Sequence, residues 1–142
     1  MFKVMISVDG SDNSARAVKF IVDQAPLYKA PVELHLLNVQ SPVLSGNIRR
    51  FIGQEEINKY CHDEATQAMA PARKILDDAK VPYTYHIGVG DIAETVAQYV
   101  RDKQCDQVIM GTRGMGSISN MLLGSVATKV IHLSEVPVLL VK

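Results

Sequence analysis

The sequence predicts an open, doubly wound α/β fold, with five parallel strands in a single sheet and helices on both faces. Three observations predict it. Short apolar runs of strand length at residues 2–8, 32–39, 81–89 and 107–110, and from Val136 to the end, alternate with stretches of helical periodicity. The first run, rich in β-branched and apolar residues, suits a central strand buried on both faces. Successive strands are separated by a helix-length segment, which gives right-handed crossovers rather than hairpins. With no internal repeat, linker or low-complexity segment, residues 1–142 are expected to form one domain.

Each element has its own signal. After the first strand, Asp9-Gly10-Ser11-Asp12 stops the run. Ser11 is placed to cap a helix over residues 12–25, whose stripe is Ala15, Val18, Ile21, Val22 and Ala25. Pro26 and Pro31 bracket its exit, and residues 32–39 form the second strand. The segment from Gln40 to Gly53 contains Pro42 and Gly46 and has no sustained period; a connection that long is expected to be functional or mobile. Ile57, Cys61, Ala65, Ala68, Ala72, Ile75, Leu76 and Ala79 then keep a helical repeat over residues 54–80. The stripe runs through Pro71, which predicts one kinked helix rather than two. Alternation in residues 81–89 reads as an edge strand. Asp91 and Glu94 mark the next helix start as a capping box, with Val96, Tyr99 and Val100 on its buried face. The fourth strand, residues 107–110, leads through a glycine-rich stretch into a helix ending near Ser134. The last strand, apolar and with Pro137 near its start, is expected at a sheet edge.

Composition excludes several classes of function. Hydrophobic residues make up 47% and charged residues 21%, an ordinary globular balance. Lysine plus arginine equals aspartate plus glutamate at 15 each, so no basic excess exists to bind a nucleic-acid backbone. No run reaches membrane-spanning length and no signal-peptide core follows Met1, which predicts a cytoplasmic protein with no membrane partner. Cys61 and Cys105 form no CxxC and read as reduced thiols.

The chemistry concentrates in residues 111–125, where Gly111, Gly114, Gly124 and Ser125 join a strand end to a helix start. Glycine permits positive φ and close ligand approach, and the free amides of a helix N-terminus attract anions. The bare residues leave two readings open, a phosphate cradle or a flexible loop with a glycine-capped helix. No Walker A sequence, GxxxxGK[ST], occurs in the chain, so amides rather than a lysine would make the phosphate contacts. Arg113 and Lys129 are the nearby cations, the latter one turn into the helix.

The spacing Gly111-xx-Gly114-x9-Gly124-Ser125 resembles the universal stress proteins of the branch that carries GxxGx9G[ST] and binds ATP. The resemblance covers essentially the whole chain and includes residues 4–11, Leu37-Asn38-Val39 and residues 136–141. It implies an adenine nucleotide alpha hydrolase-like sheet with ATP at the carboxyl ends of the strands. Gly111, Gly114, Gly124, Ser125 and the Val126 amide would line the phosphates, and a divalent ion, Mg or Mn, would neutralise the remaining charge. Asp9 matches the aspartate that contacts the nucleoside; read from its position alone, it equally caps the following turn. Val39 matches the position whose main chain meets the adenine edge, and Ser7 and Met110 would flank the base. The resemblance further implies a homodimer paired through the C-terminal strands, and a sensor or switch in stress response with an unidentified protein partner. The alternatives are a slow ATP hydrolase, for which the sequence supplies no clear base, and a nucleotide-free interaction module.

Other motifs carry less. Gly88-Val89-Gly90-Asp91-Ile92-Ala93 fits the dinucleotide pattern GxGxx[GA], but the following strand ends at Met110-Gly111 instead of an acidic residue, so it reads as a strand-to-helix turn. His35, His62, His86 and His132 have no common metal spacing. No Ser-His-Asp or Cys-His set can be assigned.

Overall fold

The computed structural model describes residues 1–41, 53–114 and 122–142. Most of the connection between Gln40 and Gly53, and the middle of the glycine stretch, lie outside the described residues. The elements follow in the order β1 (Phe2–Ser7), α1 (Asp12–Gln24), a 3-10 turn (Ala25–Leu27), β2 (Val32–Gln40), α2 (Gln54–Asp78), β3 (Tyr83–Val89), α3 (Ile92–Asp102), β4 (Gln107–Gly111), α4 (Ser125–Leu133) and β5 (Val138–Val141). The sheet is parallel with strand order β3-β2-β1-β4-β5, which puts β1 at the centre and the two expected edge strands at the edges.

Alternation along the strands divides the core into two layers. Val4, Ile6, Leu34, Leu36 and Ile109 face Ala17, Val18 and Ile21 of α1 and Met69, Ala72 and Leu76 of α2. Met5, Leu37, Val39, Val108 and Met110 face Ala93, Val96 and Val100 of α3 and Ala127 and Val130 of α4. Burial on both faces explains why the central strands read as continuous apolar runs. α2 is one helix through Pro71, which lies on its exposed side, where water can satisfy the carbonyl that loses its partner.

Strand order reverses between β1 and β4. From β1 the chain winds to β2 and β3 on one side, then crosses back through α3 to β4 and β5. Ser7 at the end of β1 pairs in register with Met110 near the end of β4, so a crevice opens just beyond these two residues.

The buried stripe of α1 differs from expectation at its start. Asn13, Ser14 and Ala17 are buried, whereas Ala15 and Ala25 are only partly covered. The first turn of α1 packs under the end of β4 instead of against the open sheet, and there polar residues have main-chain partners. Ser11 is the N-cap as expected; its hydroxyl accepts from the Ser14 amide at 3.1 Å.

Candidate functional site

A cavity of about 270 Å³ occupies the crevice at the β1/β4 reversal. The nine residues named from the sequence for the nucleotide site line it, as does Arg113. Ser7 and Asp9 come from the end of β1, Val39 from β2, and Met110 and Gly111 from β4. Gly114 comes from the turn after β4, and Gly124, Ser125 and Val126 from the start of α4. Sequence reasoning missed Val8, Ser14, Ile92, Thr112 and Ala127, which also line the cavity. Ile92 and Ala127 lie in the first turns of α3 and α4, and only the strand order shows that these two turns meet at one rim.

The cavity has two chemically distinct parts. Val39, Ile92 and Met110 supply apolar walls suited to a flat ring. The other part is the N-terminus of α4, where Gly124 is the N-cap and no side chain caps the helix. The amides of Ser125, Val126 and Ala127 have no intrahelical acceptor by helix geometry, and the helix dipole adds partial positive charge.

The turn after β4 spends several of its main-chain donors within the protein. Thr112 N-H donates to the Val141 carbonyl at 3.0 Å, Arg113 N-H to Asn13 Oδ1 at 2.8 Å, and Gly124 N-H to the Thr112 carbonyl at 2.7 Å. Those three donors are engaged within the protein; among the described residues, the first turn of α4 is where amides lack an intrahelical acceptor. Positive φ among the described glycines occurs at Gly10 (+87°) and Gly90 (+147°), outside the stretch. Gly111 provides room instead: a Cβ there would overlap Asn13 Oδ1 and lie 2.8 Å from Asn13 Cγ. At Gly114 a Cβ would overlap Asp9 Oδ2, so the turn and the β1 terminus approach closely only because the side chain is absent.

Asp9 closes the turn that its position in the sequence anticipates. Its Oδ1 accepts from the Ser11 amide at 2.9 Å and closes the turn, while the residue also lines the cavity. Gly10 makes the turn possible, since its φ is positive and a Cβ would come within 3.2 Å of the Ala68 main chain of α2. Asn38, buried on β2, donates to the Val8 carbonyl at 2.8 Å and holds the β1 terminus past the last ladder pair.

Lys129 does not face the cavity. Its ammonium lies 3.1 Å from Asp91 and 3.6 Å from Glu94, joining α4 to α3. These partners raise its pKa, the bond to Asp91 most. Asp91 caps α3 by accepting from the Glu94 amide at 3.0 Å. The Glu94 carboxylate turns to Lys129. The GxGxx[GA] segment is the β3-to-α3 turn, as its sequence context implied.

The described residues contain no group of three or more His, Cys, Asp or Glu able to hold a metal ion. His35 and His86, which spacing did not connect, meet across β2 and β3 with Nδ1 and Nε2 2.9 Å apart, and His35 Nε2 lies 2.7 Å from Glu33. No helix among the described residues is long and apolar enough to cross a membrane.

With this geometry in place, comparison with known proteins settles the family. The model of the universal stress protein family matches residues 1–142. The chain belongs to the universal stress protein family. Among its relatives is Universal stress protein MJ0531 of Methanocaldococcus jannaschii, 30% identical over 147 residues, with 99% of this chain and 81% of that protein covered. The solved structure of MJ0577 superposes with a TM-score of 0.83 at 28% identity, covering 99% of this chain and 95% of the other. The universal stress protein from Archaeoglobus fulgidus in complex with dAMP superposes with a TM-score of 0.67 at 23% identity, covering 100% and 98%. The fold of the family, an open five-stranded parallel sheet with helices on both faces, is the fold of this chain.

Proposed function

We propose that this chain binds ATP in the crevice between β1 and β4 and serves as a nucleotide-dependent sensor or switch in the stress response. The observation that carries the reading is the pairing within one cavity of an apolar slot, Val39, Ile92 and Met110, with the uncapped N-terminus of α4. A nucleotide has that same division into a flat ring and a polyanion. The base lies between the Val39 and Met110 ends of β2 and β4 with Ser7 beside it, Asp9 accepts from ribose hydroxyls, and the phosphates rest on Gly114 and on the Ser125 and Val126 amides. Gly111 and Gly124 line the phosphate end of the crevice with their main chain. The dAMP complex of the Archaeoglobus relative supports an adenine ligand.

A divalent ion, Mg or Mn, fits only as a companion of the phosphates. Asp9 is the carboxylate lining the cavity, and no cluster of metal-binding side chains among the described residues would hold the ion alone. Bound there, the ion would neutralise phosphate charge.

The β5 edge supports a second part of the proposal. Val138–Val141 are all partly exposed on an edge strand, and pairing two such strands across a two-fold axis would give the homodimer. A cytoplasmic setting and a further protein partner that reads nucleotide occupancy complete the proposal.

The test is thermal unfolding and calorimetric titration with Mg-ATP. At a concentration 100 times Kd, binding to the folded state alone adds about 2.7 kcal/mol and raises Tm. An unchanged Tm and no heat of binding at millimolar ATP would overturn the proposal.

A further inference from the structure

Asn13 is an unexpected residue in its position. It stands in the first turn of α1, is 6% exposed, and belongs to no part of the nucleotide site read from the sequence. A carboxamide buried there is costly unless both of its ends are bonded. Both are: Oδ1 accepts from the Arg113 amide at 2.8 Å, and Nδ2 donates to the Val141 carbonyl at 3.4 Å.

These bonds reach the phosphate end of the cavity and avoid the base end. The Arg113 amide belongs to the turn after β4, and the preceding carbonyl, of Thr112, accepts from the Gly124 N-cap of α4 at 2.7 Å. A chain of contacts therefore runs from Asn13 through the turn to the helix whose first residues, Ser125 and Val126, line the cavity. The same turn is tied to the end of β5, because Thr112 N-H donates to the Val141 carbonyl that Asn13 also bonds. Gly111 leaves the space Asn13 occupies.

We infer that Asn13 is a positioning residue that sets the preference of the site for a phosphate-bearing ligand over the bare nucleoside. The inference rests on the nucleotide reading above. Asn13 acts through the turn and α4, so its loss lets the phosphate-facing amides drift while the apolar slot stays intact. Affinity for a phosphorylated ligand falls and affinity for the nucleoside does not.

The test is calorimetric or competition titration of wild-type chain and Asn13→Ala with Mg-ATP and with adenosine. ATP affinity in Asn13→Ala is expected to fall about tenfold, the effect of losing one bond that orders a turn, with adenosine affinity changed by less than about twofold. Equal losses for both ligands, or no loss for either, would overturn the inference while leaving the nucleotide reading standing. A wild-type chain that binds neither ligand removes both. Amide exchange gives a ligand-free check, with Arg113 N-H read relative to the core amides of β1 so that a general loss of stability in Asn13→Ala is told apart from a local one. Arg113 N-H stays protected in Asn13→Asp, which keeps an acceptor oxygen, and loses protection in Asn13→Ala. Protection that is the same in the two variants counts against the inference.

Discussion

Replacing Gly111 by alanine separates the two possible reasons for a glycine there, backbone freedom and space. The added methyl would overlap Asn13 Oδ1, lie 2.8 Å from Asn13 Cγ and 3.0 Å from its main-chain carbon. Asn13 must then move, and the Arg113 amide loses the acceptor it holds at 2.8 Å. Overpacking of a buried site costs about 1–3 kcal/mol, and an unsatisfied buried amide about as much again. Ordinary gain from removing a glycine recovers less than about 1 kcal/mol. The expected loss is about 2–5 kcal/mol, or roughly 10 °C in Tm for a chain of this size. Gly124→Ala is the control: its φ of −75° and ψ of 164° suit any residue, and among the described residues its Cβ would meet nothing closer than Arg113 Cα at 3.4 Å. That variant should stay within about 1 kcal/mol of wild type, the N-cap preference for glycine over alanine being the main cost. In the double variant Asn13→Ala/Gly111→Ala only the tight main-chain contact remains, so it should lose less than the sum of the single losses. The assay is urea denaturation followed by circular dichroism without nucleotide. A Gly111→Ala variant within about 0.5 kcal/mol of wild type, or a Gly124→Ala variant that loses as much, would refute the reasoning.

Three further predictions concern groups away from the cavity. Lys129→Ala should leave ATP affinity within about twofold and the unfolding midpoint little changed, because the ammonium is a half-exposed partner of Asp91 and Glu94; a tenfold drop in affinity would show that it reaches the phosphates. Burial, with the neighbouring His35 and the Lys103 charge, holds the His86 imidazole below its usual pKa. The neutral form is thus favoured in the folded chain. The resulting stability is complete above the ordinary imidazole value of about 6.5 and is lost as pH falls from there through the lower folded-state value. His86→Gln should flatten that part of the stability-pH curve measured by urea denaturation, and an unchanged slope would contradict it. Both cysteines are buried, and burial pushes the Cys105 thiol up to about 11. Cys105 should therefore resist a thiol reagent at pH 8 until the chain is unfolded, and rapid labelling of the native protein would be the contrary result.

The layered sheet was legible because its signals are local. Strand-length apolar runs, the Ser11 cap and the Asp91 cap all act within a few residues of themselves. The glycine stretch was legible as a place, since a strand end and a helix start are both marked in sequence. Its internal workings were not. Engagement of the Arg113 amide depends on Asn13, and that of the Thr112 amide on Val141, partners distant in sequence that only the strand order brings near. Helical periodicity assigned α1 an apolar stripe and passed over Asn13, because a buried asparagine is recognisable only by the main-chain groups it meets. Lys129 looked close to the phosphates along the chain, yet its carboxylate partners come from α3. His35 and His86 likewise became neighbours only through the pairing of β2 with β3.

The central claim is that a phosphate rests on the first turn of α4 while an adenine ring occupies the slot beside Val39 and Met110. Amide chemical-shift mapping during titration of the full chain with Mg-ATP tests it most directly. The largest shifts are expected at Ser125, Val126 and Ala127, with smaller ones at Val39 and Gly114. Shifts confined to other surfaces, or none at millimolar ATP, would contradict it.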